Sequence, residues 1–154
     1  MNARDLPYKE LVHGTKQFII PIFQRDYSWG TKNCLRLWED IVRVGSDPAA
    51  KGHFIGSVVY IAAEESTASI SRWLLIDGQQ RLSTLTLLLV ALRNRLEKNQ
   101  VNENLPSTEE IDHHFLINEN GKGDQKAKLT LRRMDYETLL AYIEKKELPF
   151  FSFI

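Results

Sequence analysis

Trp73-Leu74-Leu75-Ile76-Asp77-Gly78-Gln79-Gln80-Arg81-Leu82-Ser83-Thr84 opens the segment that decides the fold, and an apolar run continues it to Leu96. The four apolar residues at its start are typical of a buried strand, and Asp77-Gly78 marks a sharp turn. Five leucines then recur at steps of three and four, as on one face of a helix: Leu82, Leu85, Leu89, Leu92 and Leu96. We therefore expect a helix from 79 to about 98, central in the core, with Leu85 and Leu89 fully buried against a sheet.

The polar residues of this segment lie together where the strand ends and the helix begins. The first N–H groups of a helix have no partners within it and carry partial positive charge, so they favour anions. Gly78 can adopt backbone conformations that other residues avoid, and Arg81 offers a guanidinium fork suited to phosphate. The junction is therefore a candidate anion site. The residues alone leave one alternative open, in which Asp77 caps the helix and Arg81 forms an internal ion pair.

Length, charge and cysteine content limit the classes of function. The 154 residues suffice for one domain with a core. Lys and Arg total 20, as do Asp and Glu, which argues against broad non-specific nucleic-acid binding but allows a local basic patch. The sequence contains no apolar stretch long enough to span a bilayer and no signal peptide. Because the single cysteine, Cys34, also fits a reducing cytosol, we expect a cytoplasmic domain without membrane contact.

The remaining segments predict an α/β (α+β) domain with a small mixed sheet flanked by helices. Strands are predicted at 17–20, 53–63, 72–76, 114–117 and 128–131. Helices are predicted at 5–12, 31–44 and 79–98, with two more beginning at 108 and 135. Gly56-Ser57 interrupts the second strand, which often marks close approach by a ligand or another backbone. The aromatic segment 22–30 is predicted to pack on the domain or to cover a ligand.

We expect residues 1–147 to form one domain and residues 148–154 to form an apolar tail. The tail contains three phenylalanines and one isoleucine, which is unusual for a terminus unless something covers it. It predicts either that the sequence is a piece of a longer protein or that the tail packs on the core or in a homodimer.

Three segments of the chain now stand together: 20–29 (IPIFQRDYSW), 54–59 (FIGSVV) and 76–85 (IDGQQRLSTL). Their order and residues resemble the N-terminal domain of GmrS/GmrD-type, modification-dependent (type IV) restriction enzymes. That family looks like a branch of the ParB/sulfiredoxin-like fold. The resemblance covers roughly residues 7 to 145. It rests on the Asp-Gly-Gln-Gln-Arg string at 77–81 together with the upstream Gln-Arg and Tyr-Ser-Trp.

This resemblance implies a module that binds a nucleoside triphosphate, often hydrolyses it, and regulates DNA cleavage in an antiphage system. In such proteins a separate C-terminal nuclease domain, frequently of His-Asn-His type, makes the cut. DNA is therefore expected as a partner of the full-length protein or of a nuclease partner, and this fragment alone is not expected to cleave it.

The resemblance also implies site residues, by position. Those implied to be catalytic are Asp77, Gln79, Gln80 and Arg81. Those implied to bind nucleotide are Gln24, Arg25, Tyr27, Trp29, Gly56, Ser57, Gly78, Arg81 and Thr84.

The chemistry of these residues agrees with such a site. Phosphoryl transfer needs positioning and positive charge more than covalent chemistry, and Arg25, Arg81 and the helix N-terminus supply that charge. Asp77 is predicted to hold Mg²⁺ or to orient the attacking water, which Gln79 or Gln80 would help to position. We expect Arg25 and Arg81 to converge with Asp77 on one pocket at the start of the central helix, because ligand crevices open where strands end.

The aromatic residues Tyr27 and Trp29 have two interpretations. Either ring could stack on a base. The alternative is that both are ordinary core residues.

Two other functions stay open at this point. The chain could be a ParB-like DNA-binding or nicking domain, or an inactive interaction module that forms a homodimer. A small basic cluster is compatible with either a DNA contact or a solvated face: Lys126, Lys128, Arg132 and Arg133. A zinc site at His113-His114 is not expected, because adjacent residues of a strand point to opposite faces and no cysteine accompanies them.

Overall fold

The computed structural model describes residues 4–64, 66–67, 69–98, 105–131 and 133–145, with only the backbone of 133 and 134. Its elements, in chain order, are α1 (Tyr8–Val12), β1 (Lys16–Ile19), α2 (Thr31–Ser46), β2 (Val59–Ala62), β3 (Ser71–Asp77), α3 (Gln79–Lys98), α4 (Thr108–Ile111), a π-helical turn (Asp112–Leu116), a 3-10 turn (Gly123–Gln125), β4 (Leu129–Thr130) and α5 (Arg133–Glu144). None of the helices described is long and apolar enough to cross a membrane.

The four strands form one mixed sheet in the order β2-β3-β1-β4. β1 runs parallel to both β3 and β4, and β2 pairs antiparallel with β3. The predicted α/β class with a small mixed sheet is confirmed, whereas the likeness to the ParB/sulfiredoxin fold stays a prediction. Because β1 and β3 are parallel neighbours, their carboxyl ends lie at the same edge. The segment after Ile19 and the turn after Asp77 therefore begin side by side.

The long helix α3 joins two hydrophobic clusters, which confirms its central place. Leu82 packs with Phe18 and Leu75 under the sheet. Val90 and Leu96 belong to a second cluster formed with α4, the π-helical turn and α5. The prediction for the middle of the helix was wrong in part. Leu85 is buried, but Leu89 is only half-buried and packs on the second cluster, and Leu92 is 43% exposed.

The burial of α3 changes along its length because its partners change. The first turns of α3 face the sheet and the later turns face other helices, so the buried stripe is not one straight line of leucines. Hydrophobic spacing reports that a helix has an apolar side but not which partners cover it along its length.

Two predicted strands were also wrong. Only Val59–Ala62 of the predicted strand 53–63 is a strand, because β3 ends at Asp77, opposite Val59, and offers no further partner. The predicted strand 114–117 is the π-helical turn, apart from one isolated bridge from Ile117 to Ala127. A capping box between Ser107 and Glu110 starts the helix before it.

A smaller departure occurs near the N-terminus. Pro7 precedes α1 instead of lying within its first turn, which shortens the predicted helix 5–12. The apolar tail at 148–154 lies outside the described residues.

A buried arginine, which the sequence did not single out, fastens α3 to its neighbours. Arg93 is 1% exposed. Its Nη2 donates hydrogen bonds to the carbonyls of Tyr142 (3.2 Å) and Ile143 (2.9 Å), near the C-terminus of α5. Its Nη1 lies 3.4 Å from Oδ2 of Asp112. A cation at this end of α5 complements the partial negative charge of the last carbonyls.

Candidate functional site

Gln80 ties the central helix to the segment that follows β1. Its Oε1 accepts hydrogen bonds from the backbone N–H groups of Ser28 (2.7 Å) and Trp29 (3.2 Å). Its Nε2 donates to the carbonyl of Asp26 at 3.1 Å. Three of the four hydrogen-bonding positions of the carboxamide are thus occupied by backbone more than 50 residues away in sequence. The geometry makes Gln80 a positioning residue that holds the 24–29 loop against α3.

The neighbouring glutamines strengthen the same connection. Gln79 Nε2 donates to the carbonyl of Arg25 (3.2 Å), and Gln24 Nε2 donates to the carbonyl of Ile76 (3.2 Å). The other side-chain atom of Gln79, Oε1, is buried and has no hydrogen-bond partner among the described residues. The Gln-Arg motif and the Asp-Gly-Gln-Gln-Arg motif therefore interlock through side-chain amides and backbone.

Arg81 contacts the 54–59 segment, which is one of the three segments quoted above. Its Nη2 donates to the carbonyl of Ser57 (2.6 Å) and lies 3.8 Å from Oδ2 of Asp77. Its guanidinium packs directly on Gly56, where a Cβ would lie 2.6 Å from Nη1. Gly56 also has φ of +104°, a conformation that favours glycine. The close approach at Gly56 is made by the side chain of Arg81, whereas the sequence suggested a ligand or another backbone. The ion-pair alternative for Arg81 is observed with Asp77.

The turn itself is covered by the same segment. Gly78 has φ of +94°, and a Cβ there would lie 3.1 Å from the Ser57 carbonyl oxygen. Ser57 thus contributes backbone to the site, and its side chain has no hydrogen bond to the described residues.

Tyr27 is held by its hydroxyl group. Thr84 Oγ1 donates to the carbonyl of Gln80 (2.7 Å), and the Tyr27 hydroxyl lies 2.8 Å from that Oγ1 and 3.4 Å from Cys34 Sγ. Partial burial, with Cys34 nearby, raises the pKa of the Tyr27 hydroxyl. Tyr27 is exposed and Trp29 is half-buried, so neither is an ordinary core residue.

A cavity of about 250 Å³ opens beside these motifs, between the 24–29 loop, α3 and α5. Its lining comprises Ile20, Arg25, Asp26, Tyr27, Gln79, Gln80, Ser83, Leu87, Leu131, Asp135, Thr138, Leu139 and Tyr142. The Arg25 side chain is exposed, and its guanidinium makes no hydrogen bond or ion pair with the described part of the chain. The cavity thus combines apolar walls with one available cation and two carboxylates, those of Asp26 and Asp135.

The expected convergence of Arg25, Arg81 and Asp77 on one pocket is not observed. Arg25 lines the cavity, whereas Asp77 and Arg81 are absent from its lining and face the Gly56-Ser57 segment. Successive residues of a helix point about 100° apart. Gln79 and Arg81 therefore point to different flanks of the first turn, and the two arginines lie on either side of the same helix N-terminus.

One wall of the cavity was missed by sequence reasoning. Asp135, Thr138, Leu139 and Tyr142 come from α5. Their spacing of three and four is the signal of one helix face, but nothing in that spacing indicates which element the face meets.

The two described side chains of the basic cluster, Lys126 and Lys128, both have partners within the domain. Lys128 is buried, with Nζ donating to the carbonyls of Val12 (3.1 Å) and Gly14 and to Asn118 Oδ1 (3.4 Å). Burial lowers its pKa to about 8. Lys126 pairs with Glu144 at 2.5 Å. The structure does not describe the side chains of Arg132 and Arg133.

Comparison with known proteins gives one family. A family model described as the N-terminal domain of the GmrSD restriction endonuclease matches residues 8–153. No curated protein matches the chain. The matched span includes all three segments that carry the predicted resemblance, which is confirmed.

Proposed function

We infer, because this chain belongs to the family of N-terminal domains of GmrSD restriction endonucleases, that it is the nucleotide-binding regulatory module of a DNA restriction system. The family supports a role in restriction. In the proposal, a nucleoside triphosphate binds at the start of α3 and is hydrolysed there. Its binding and turnover control DNA cleavage by a separate nuclease domain, in the full-length protein or in a partner.

The observation that carries this proposal is the interlocking of the two motifs around one helix N-terminus. Gln79 and Gln80 hold the 24–29 loop so that Arg25 stands on one flank, while Arg81 stands on the other. The N–H groups of the first turn lie between them and favour an anion. Two guanidinium groups around such a terminus suit the charge of a triphosphate better than a single phosphate.

Asp77 fits the metal ion that accompanies a nucleoside triphosphate. Its side chain is 67% exposed beside the helix N-terminus. No group of three metal-ligating side chains occurs among the described residues, so a dedicated protein cage is not part of the proposal. Mg²⁺ is commonly held by one or two carboxylates together with phosphates and waters, which one exposed aspartate permits. When bound, Mg²⁺ would neutralise charge on the phosphate oxygens.

Hydrolysis requires a water to attack the γ-phosphorus while the bond to the β–γ bridging oxygen breaks. The products are a nucleoside diphosphate and inorganic phosphate, and the proton of the water passes to solvent. In the proposal, Asp77 orients the water by accepting a hydrogen bond from it, and Arg81 stabilises the charge that develops. The carboxamide of Gln80 is committed to the 24–29 loop. We therefore assign Gln80 to positioning Arg25, not to contact with the water.

Calorimetric titration of the chain with ATP and GTP, with and without Mg²⁺, tests the proposal. Arg81→Ala should weaken binding more than Arg81→Lys, because lysine keeps the charge and loses only the fork. Asp77→Ala should lower hydrolysis while some nucleotide affinity survives. Arg43→Ala is the matched control, because it removes an arginine that pairs with Asp40 on the surface of α2, at 2.9 Å.

Two outcomes would oppose the proposal. If binding and turnover were unchanged in the Arg81 and Asp77 variants, the only role left for these two residues would be their ion pair. Salt-sensitive binding of DNA without nucleotide would favour the ParB-like DNA-binding alternative.

A further inference from the structure

We propose that the exposed apolar stripe of α2, formed by Leu35, Trp38 and Val42, is the contact surface for a second copy of this chain, which packs its own α2 antiparallel against it. This surface shares no residue with the cavity lining or with the two motifs around α3, so its role is independent of nucleotide binding.

The helix α2 has more apolar surface than the domain covers. One face packs inward, and its side chains are buried or half-buried: Cys34, Leu37, Ile41 and Val44. Beside it, Leu35, Trp38 and Val42 are 51%, 50% and 44% exposed. Because each residue turns the helix by about 100°, these three side chains lie within about 60° of one another. Single exposed apolar residues are common, whereas a contiguous stripe with a tryptophan at its middle is typical of a protein contact.

The stripe matches itself when its direction is reversed. In a contact with two-fold symmetry, residue i of one copy meets residue j of the other, and j meets i. With the axis between Trp38 and Glu39, Leu35 lies opposite Val42 of the second copy, because the two are equally far from the axis in sequence. The two Trp38 rings then lie side by side at the centre of the contact, where the residues that contribute most to binding cluster.

The charges beside the stripe are also complementary to their own reversed copy. Arg36 and Glu39 are both exposed, and they lie on the same side of the stripe, at about 100° and 40° from Leu35. In the antiparallel pair, this side of one helix adjoins the same side of the other. Arg36 of each copy then lies about 3 Å along the axis from Glu39 of the other, which permits two interhelical ion pairs. Neither side chain forms a hydrogen bond or an ion pair within the described part of the chain, so both are available.

An anionic lipid surface is the other class of partner that an amphipathic helix with basic residues can meet. Glu39 argues against it. Its exposed carboxylate borders the stripe, where it would face the negative charge of the lipid headgroups. The same carboxylate has a partner in the antiparallel pair, so the observations favour a second copy.

The contact is small, and association should therefore be weak. α2 has 16 residues, and such a helix is about 24 Å long. One pair of helices of this length lies at or below the lower end of the roughly 1,200–2,000 Å² that stable interfaces bury. We expect a Kd on the order of 10–100 µM.

Sedimentation equilibrium of the chain, at concentrations from about 5 to about 500 µM, brackets this Kd. Wild type should pass from monomer to dimer across that range. Arg36→Glu and Glu39→Arg should each raise the Kd about tenfold or more, because the symmetry repeats each unfavourable pair twice. The double variant R36E/E39R restores both pairs, so its Kd should return to within about threefold of wild type. Trp38→Ser should leave the chain monomeric throughout, because it removes the centre of the contact.

Two controls separate the contact from general effects of charge and fold. Glu64→Arg reverses an exposed carboxylate in the turn after β2 and should keep the wild-type Kd. Thermal unfolding of each variant checks that it is folded. If Trp38→Ser does not fold, the charge variants carry the test, because they change only exposed side chains.

Three results would overturn this interface. Wild type could stay monomeric throughout, and binding of that monomer to phosphatidylserine vesicles would then assign the stripe to a membrane surface. A dimer that none of the three single variants weakens would have its interface elsewhere on the chain. Single charge variants that weaken the dimer without rescue in R36E/E39R would exclude the antiparallel pairing.

Discussion

The substitution Gln80→Met tests whether one side chain holds the 24–29 loop in place. Methionine keeps roughly the volume of glutamine, so the change removes hydrogen bonds without opening a large cavity. The N–H groups of Ser28 and Trp29 lose their acceptor, and the carbonyl of Asp26 loses a donor. All three bonds are partly buried, so water replaces them only in part.

The expected cost follows from these three bonds. Each contributes about 0.5–1.5 kcal/mol net. Because Ser28 is exposed and Trp29 is half-buried, water recovers some of the loss, and we expect about 2–3 kcal/mol in the free energy of unfolding. That is a large share of the roughly 5–15 kcal/mol typical of a domain. With a slope of about 2 kcal/mol/M, the urea midpoint should fall by about 1–1.5 M.

Urea unfolding and amide hydrogen exchange measure the two parts of this effect. The midpoint reports the global loss, and exchange at the Ser28 and Trp29 amides reports release of the loop. Those two amides should exchange faster in Gln80→Met even where β3 keeps its protection. Gln125→Met is the control, because the Gln125 side chain makes no hydrogen bond to the described residues. An unchanged midpoint with unchanged exchange at both amides would refute the role of Gln80 as the residue that holds the loop.

Three further predictions follow from individual contacts. Arg93→Met should lower the free energy of unfolding by about 3 kcal/mol, because it leaves Asp112 and two α5 carbonyls without their buried partner. A urea midpoint equal to that of wild type would contradict this prediction. Gly56→Ala should lower the free energy of unfolding by about 1–3 kcal/mol through its positive φ, and it should displace the Arg81 guanidinium. The control Gly45→Ala, in α2, should stabilise the protein by about 0.5–1 kcal/mol. Equal shifts in melting temperature for the two variants would count against the steric argument. Burial raises the pKa of the Tyr8 hydroxyl from 10.0 to about 12, so the folded protein keeps this proton when the unfolded chain loses it. The stability that the protonated Tyr8 contributes is therefore complete below pH 10 and is lost as the pH rises to about 12. Over that pH interval, the free energy of unfolding should fall more for wild type than for Tyr8→Phe. Equal losses in the two proteins would show that Tyr8 does not cause the effect.

Much of the fold could be predicted because its signals are local. The Asp77-Gly78 turn and the bounds of α3 follow from residues next to one another, as does the start of a helix at Thr108. The strand predicted at 53–63 failed because a strand needs a partner, and β3 ends at Asp77. The prediction that Leu92 lies on the buried face of α3 failed, because an apolar side chain prefers burial but does not show whether a neighbour covers it.

The candidate site was predicted as a set of residues but not as an arrangement. The residues of the three segments identified the family, because motif residues are read directly from the sequence. It could not show that Arg25 lines a cavity which Arg81 does not, because that depends on where each side chain leaves the first turn of α3. Nor could it show that α5 forms the opposite wall.

By itself, then, the sequence determined the family, the class of fold and the strand–turn–helix unit, all of which depend on residue identity and short-range spacing. The tertiary structure alone decided that β1 lies parallel beside β3, pairing Phe18 with Trp73. That pairing sets the 24–29 loop against Gln79 and Gln80, turning one glutamine into a tether and leaving an unpaired oxygen on the other. The physical reason is that a side-chain amide has the same donors and acceptors everywhere in a sequence. Which of them are used is decided only when distant backbone is brought within hydrogen-bonding distance.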